Sequence, residues 1–167
     1  GDLEWPVFEA LIDDLAGFPG PKTIAFAGFG EPLLHERFPE MVRLAHERGV
    51  RTEMTSNAMR LKPPLAAKPI DAGLDQFTVS IDGTSEEANR AIRTGASLSE
   101  IKNSVLTLYE QSKERREAPV RIGIEFVAMK RNIHELPALR DIAYRIMASF
   151  ILVTNVLPYT AELQNEI

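Results

Sequence analysis

Two periodicities alternate along the chain. Residues 5–16 (WPVFEALIDDLA) repeat apolar positions at helical spacing, and Trp5, Phe8, Leu11, Ile12 and Leu15 fall on one predicted face. Gly17-Phe18-Pro19-Gly20-Pro21 stops that helix. Residues 23–28 (TIAFAG) are short, apolar and bounded by turn residues, which predicts a strand. Residues 36–48 predict a second helix, with Phe38, Met41, Val42, Leu44 and Ala45 inward and Gly49 as its cap. Further strands are predicted at 50–56, 76–82, 120–128 and 150–157. Further helices are predicted at 63–73, 84–93, 97–113 and 134–148, the last with Leu136, Leu139, Ile142, Ala143 and Ile146 on one stripe. The run Glu114-Arg115-Arg116-Glu117 reads as solvated surface.

The result is strict helix–strand alternation with five strands. It predicts an α/β fold with a parallel sheet and right-handed crossovers. Several strands are apolar nearly throughout, as expected where both faces are covered. An open doubly wound sheet and part of a (β/α) barrel both fit. The pattern opens on a helix, as though a strand preceded it. No repeat, low-complexity tract or linker divides residues 1–167, so one domain is expected.

Composition narrows the function classes. Apolar residues make up 44% and charged residues 26% of the 167, enough to build a core. The net charge of −5 argues against a nucleic-acid partner, which requires clustered Lys and Arg. No apolar run approaches a membrane span, and the acidic start Gly1-Asp2-Leu3-Glu4 carries no basic leader. No membrane association and a cytoplasmic location are therefore expected. There is no cysteine, so these residues contain no thiolate metal ligand and no cysteine nucleophile.

Chemistry in parallel α/β folds gathers at the carboxyl ends of strands. After the first strand comes Gly28-Phe29-Gly30-Glu31-Pro32, where glycines let a ligand approach the backbone. Leu33 stands where a dinucleotide fingerprint needs its third glycine, which weakens a nucleotide-binding Rossmann reading. A plain tight turn remains an equal alternative. Ser56-Asn57 follows the second strand as polar ligands or as a turn element. Ser80 and Asp82 share strand parity and face one side, with Asp82 alternatively capping the next helix. Arg90 and Arg93 lie on one helical face; an arginine can clamp a carboxylate, and a plain surface arginine is the simpler alternative for each. Glu125 is a lone charge in an apolar strand, and pairing with Arg121 or a neighbouring strand is its simplest explanation. His35, His46 and His134 form no metal-ligand motif and read as structural.

Together these strand ends resemble the radical S-adenosylmethionine (radical SAM) enzymes. Gly28-Phe29-Gly30-Glu31-Pro32 resembles the family's GGEP, and Ser56-Asn57-Ala58 resembles its TNG. Val79-Ser80-Ile81-Asp82-Gly83 followed by Ala91-Ile92-Arg93-Thr94-Gly95 resembles S-[IL]-D-G … I-R-G. Asn155-Val156-Leu157-Pro158 sits where the family's sixth strand touches adenine. Phe29 and Ala58 depart from glycines of the family pattern. The resemblance spans about residues 5–160.

It implies a partial (β/α)6 TIM-like barrel with strands 2–6 in this chain. It also implies S-adenosylmethionine as cofactor and a [4Fe–4S] cluster in the parent protein. The cluster cysteines are expected upstream of Gly1 in a chain truncated at its N-terminus and possibly at its C-terminus. The implied activity is reductive cleavage to a 5′-deoxyadenosyl radical that modifies a peptide or cofactor precursor, with the fragment alone inactive. The implied cofactor-binding residues are Gly28, Gly30, Glu31, Pro32, Ser56, Asn57, Ser80, Asp82, Arg93 and Leu157, with no catalytic residue in the fragment. A peptide or small-molecule substrate, a reductant such as ferredoxin or flavodoxin, and a homodimer through the exposed edge of strand 23–28 are the expected partners. The alternatives are a degenerate barrel fragment acting as a binding module, and a Rossmann- or flavodoxin-like nucleotide domain.

Overall fold

The computed structural model describes residues 3–28, 30–62, 65–115 and 118–166. Helix α1 (Trp5–Gly17) leads into β1 (Thr23–Phe26), α2 (Phe38–Glu47), β2 (Arg51–Ser56), α3 (Ala67–Ala72) and β3 (Gln76–Ser80). Then come α4 (Glu86–Ile92), α5 (Leu98–Arg115), β4 (Arg121–Ala128), α6 (Leu139–Arg145), β5 (Phe150–Asn155) and α7 (Ala161–Gln164). The five strands are all parallel and lie in sequential order, β1 to β5.

That order decides between the two architectures the alternation allows. A doubly wound sheet reverses its strand order and places helices on both faces. Here the order never reverses, so right-handed crossovers put the intervening helices on one side, as in a barrel wall. The nucleotide-domain alternative is thereby set aside. Burial agrees: on β2, Thr52, Met54 and Ser56 are buried while Glu53 and Thr55 are half-buried. Met54, Phe77, Val79, Ile122, Ile124 and Phe126 pack into one core with helix residues such as Val42, Ile70, Ile101, Val105, Leu108 and Ile142. Phe77 is fully buried, and removing such a ring costs about 3–5 kcal/mol. A second cluster joins α1 to α2 through Phe8, Ile12, Met41, Ala45 and Val50.

Several boundaries move for identifiable reasons. Strands 23–28 and 76–82 end two residues early, at Phe26 and Ser80, where the chain leaves the ladder. The expected helix 134–148 divides into a 3₁₀ segment, Ile133–Ala138, and then α6; Pro137 lacks the N–H a regular helix would use. Pro63 and Pro64 of the expected helix 63–73 lie outside the described residues, as do Phe29 and the Arg116-Glu117 part of the charged run. Its Glu114 and Arg115 extend α5. Leu11 is 47% exposed, so the inward stripe of α1 is narrower than expected. β5 is uncovered as well as apolar: Ile151, Leu152 and Val153 are all exposed, because the strand forms one end of the sheet. β1 forms the other end, and a groove of about 370 Å³ with Phe8, Ile24, Phe26 and Phe38 in its lining runs beside it. Among the described residues no helix is long and apolar enough to cross a membrane.

Candidate functional site

The carboxyl ends of β1 to β4 converge on a cavity of about 400 Å³. Ala27, Gly28, Gly30 and Glu31 form one wall after β1, and Thr55 and Ser56 at the end of β2 with Asn57 beyond it form the next. Ser80, Arg93, Glu125 and Val127 complete it. Of the residues expected at a ligand site, the structure therefore brings together Gly28, Gly30, Glu31, Ser56, Asn57, Ser80 and Arg93. Pro32, Asp82 and Leu157 lie outside this lining.

Glu31 organises the first wall. Its Oε1 accepts from the Leu33 N–H at 3.2 Å and the Ser56 hydroxyl at 2.8 Å, and its Oε2 accepts from the Asn57 N–H at 3.1 Å. One carboxylate thus fastens the turn after β1 to the end of β2. Pro32 opens the short 3₁₀ turn that Glu31 caps, where its missing N–H is not needed. Gly28 has φ +118°, a conformation that side chains rarely adopt. Ser56 is buried and also accepts the Ala58 N–H at 3.0 Å; Asn57 Oδ1 accepts the Met59 N–H at 2.9 Å. Both side chains shape a turn whose Ala58 has φ +58°.

Asp82 neither lines the cavity nor caps α4; Ser85 does the capping, accepting the Ala88 N–H. The Asp82 carboxylate is 4% exposed and fully occupied. Oδ2 accepts from Arg93 Nε at 2.8 Å, and Oδ1 accepts from the Val127 N–H at 2.8 Å. Arg93, 26% exposed, is held at one nitrogen and lines the cavity. Gly83 is required by close approach: a Cβ there would meet the Asn89 backbone nitrogen at 2.4 Å. Arg90 is exposed on α4 and takes no part in the lining.

Sequence spacing gave no sign of two residues that fix this corner. Asn132, 1% exposed, donates through Nδ2 to the Asp82 carbonyl at 3.1 Å and the Val127 carbonyl at 2.9 Å, while its Oδ1 accepts the Met129 N–H. Glu135 accepts from the Thr84 hydroxyl and from the Thr84 N–H at 2.7 Å. The Thr84 hydroxyl, then its N–H, hold the Glu135 carboxyl below the usual range against the opposing effect of burial. The partners are roughly fifty residues apart, so only the fold reveals them.

Glu125 departs from its simplest explanation. Arg121 turns away to Ser149 Oγ at 3.2 Å and the Phe150 ring at 4.7 Å. The Glu125 side chain is half-buried beside Ser80, its register partner, with no hydrogen bond or ion pair among the described residues. Its isolation in an apolar strand was a usable signal for a cavity residue. His35 Nδ1 accepts the Arg37 N–H, His46 packs against Gly73, and His134 is exposed beside Glu135. The described residues contain no cluster of metal-binding side chains.

Residues 2–138 match the model of the radical SAM superfamily. The chain belongs to that superfamily. It is 31% identical over 171 residues to the tungsten-containing aldehyde ferredoxin oxidoreductase cofactor-modifying protein of Pyrococcus furiosus, covering 100% of this chain and 47% of that protein. It is 28% identical over 164 residues to the PqqA peptide cyclase of Rhodopseudomonas palustris, covering 98% of this chain and 41% of that one. Streptococcus suis SuiB bound to S-adenosylmethionine shares the fold at TM-score 0.68 and 16% identity, over 83% of this chain and 31% of that chain. The radical SAM chain thus spans less than half of these proteins.

The cavity offers a guanidinium at Arg93, a hydroxyl at Ser80 and backbone at Gly28 and Gly30, donors that suit a small ligand carrying a carboxylate. An iron–sulfur cluster does not fit these residues by themselves, since the 167 include no thiolate.

Proposed function

We propose that this chain is the cofactor-binding part of a radical SAM enzyme. The observation that carries the reading is Arg93, locked by buried Asp82 and lining the cavity at the β1–β4 ends. Arg93 and Ser80 receive the carboxylate of S-adenosylmethionine. The backbone around Gly28, Gly30 and Glu31 receives its amino group, and exposed Leu157, beyond β5, offers apolar surface to adenine. Asp82, Ser56, Asn57 and Pro32 act as positioning residues, since their polar atoms or turn geometry are already committed within the protein. With a cluster held by thiolates outside these residues, the cofactor supplies reductive carbon–sulfur cleavage and hence radical chemistry. The names of the relatives support a peptide or a cofactor precursor as the substrate class of the parent protein. The free edge of β1 supports self-association of the 167-residue chain.

Calorimetric titration of S-adenosylmethionine into the chain tests the site. Arg93→Lys keeps a cation beside Asp82 but removes the planar fork, and weakens binding about tenfold. Equal affinity for both proteins would overturn the assignment. Iron counting after anaerobic reconstitution is expected to show no stoichiometric cluster on this chain.

A further inference from the structure

The charges around the cavity do not cancel. Arg93 is neutralised by Asp82 at 2.8 Å. Glu31 accepts three hydrogen bonds from uncharged donors, which solvate its carboxylate without offsetting its charge. The Glu125 side chain has neither a hydrogen bond nor an ion pair among the described residues, although it is half-buried beside Ser80 and Val127. A carboxylate in that position is unfavourable until something positive or hydrogen-bonding meets it. The excess negative charge therefore favours a cationic ligand over a neutral one of the same shape.

Resting on the site reading above, we infer that Glu125 is a specificity-determining residue, selecting the positively charged sulfonium over the corresponding neutral thioether. The wall formed by Gly28 and Gly30 follows β1, and Glu125 stands on β4, with β2 and β3 between those two strands. A ligand held in this cavity by Gly28, Gly30 and Arg93 would share it with Glu125 and lie within reach of that carboxylate's charge. Discrimination follows from charge alone, because the two ligands otherwise differ by one methyl group.

The test compares dissociation constants of S-adenosylmethionine and S-adenosylhomocysteine for the unaltered chain, Glu125→Gln, Glu125→Asp and Arg93→Lys. In Glu125→Gln the preference for the sulfonium ligand falls by about three- to tenfold, as expected for one charge in a partly solvated cavity. Glu125→Asp keeps the preference, and raised salt lowers it in the unaltered chain. An unchanged ratio in Glu125→Gln overturns the inference. If Arg93→Lys weakens both ligands while Glu125→Gln leaves the ratio intact, only the role of Glu125 fails. If Arg93→Lys weakens neither, or neither ligand binds, the site reading itself fails.

Discussion

Asp82 joins Arg93 to the backbone of β4: one carboxylate oxygen takes the Arg93 Nε at 2.8 Å and the other takes the Val127 N–H at 2.8 Å. The acid is 4% exposed and the base 26%. Most of the desolvation therefore falls on the carboxylate, and removing one partner leaves a charge poorly served by water. Asp82→Ala is expected to lower unfolding free energy by about 2–4 kcal/mol. A double-mutant cycle with Arg93→Ala should give a coupling above about 1 kcal/mol. Urea unfolding of the four proteins measures both quantities, and a coupling near zero would class the pair with ordinary surface ion pairs.

Gly83 holds the turn that brings Asp82 to Arg93. A Cβ there would lie 2.4 Å from the Asn89 nitrogen and 2.6 Å from the Ala88 carbonyl carbon, both backbone atoms that cannot swing aside. Gly83→Ala should destabilise by about 1–3 kcal/mol through forced displacement of the start of α4. Gly17, at the end of α1, has nothing within 4 Å of its Cβ position. Gly17→Ala is expected to be neutral or stabilising by up to about 1 kcal/mol. Equal melting temperatures for the two variants would refute the steric argument.

The alternation of periods made the helices, the strands and their parallel sense legible, because each period reports which residues share a face. Strand ends were less legible. Ala27 and Ile81 remain apolar while the backbone leaves the sheet, so pattern carries no mark of the departure. Motif spacing located Gly28, Gly30, Ser80 and Arg93 at the cavity but could not tell contact from support. Asp82 shares the parity of Ser80, yet it lies beyond the last β3 residue, where parity no longer fixes direction. Glu125 was visible as an anomaly; its place beside Ser80 depends on parallel register, which no local pattern specifies.

Ala58 has φ +58°, a left-handed conformation that favours glycine. Left-handed backbone costs a residue with a Cβ roughly 1–2 kcal/mol. The methyl is 2% exposed in the main core, which returns about 0.8 kcal/mol, and alanine avoids much of the chain entropy that glycine loses. These effects nearly cancel, so Ala58→Gly should change stability by less than about 1 kcal/mol. Ala58→Val adds β-branching at positive φ in a packed site and should cost more than about 2 kcal/mol. Chemical denaturation of both variants checks the pair, and a tolerated valine would contradict the left-handed turn.

Glu86 links α4 to the start of α5. Its Oε1 accepts the Ser99 N–H at 2.7 Å and its Oε2 accepts the Leu98 N–H at 2.9 Å, which caps the longer helix from outside. The Ser99 N–H first, then the Ser99 hydroxyl and the Leu98 N–H, lower its carboxyl from the ordinary 4.5 to about 2. A folded-state value below the unfolded one adds stability that is fully present above the unfolded value and is lost as pH falls toward the folded one. The contribution should therefore be complete above about pH 5 and disappear between about pH 4.5 and 2. Glu86→Gln removes this titration, so its melting temperature should lie below that of the unaltered chain at pH 6 and approach it as the pH falls through that window. Melting curves at half-unit steps from pH 6 to 2 measure the convergence, and a constant difference across the series would show that the carboxylate charge contributes nothing to the cap.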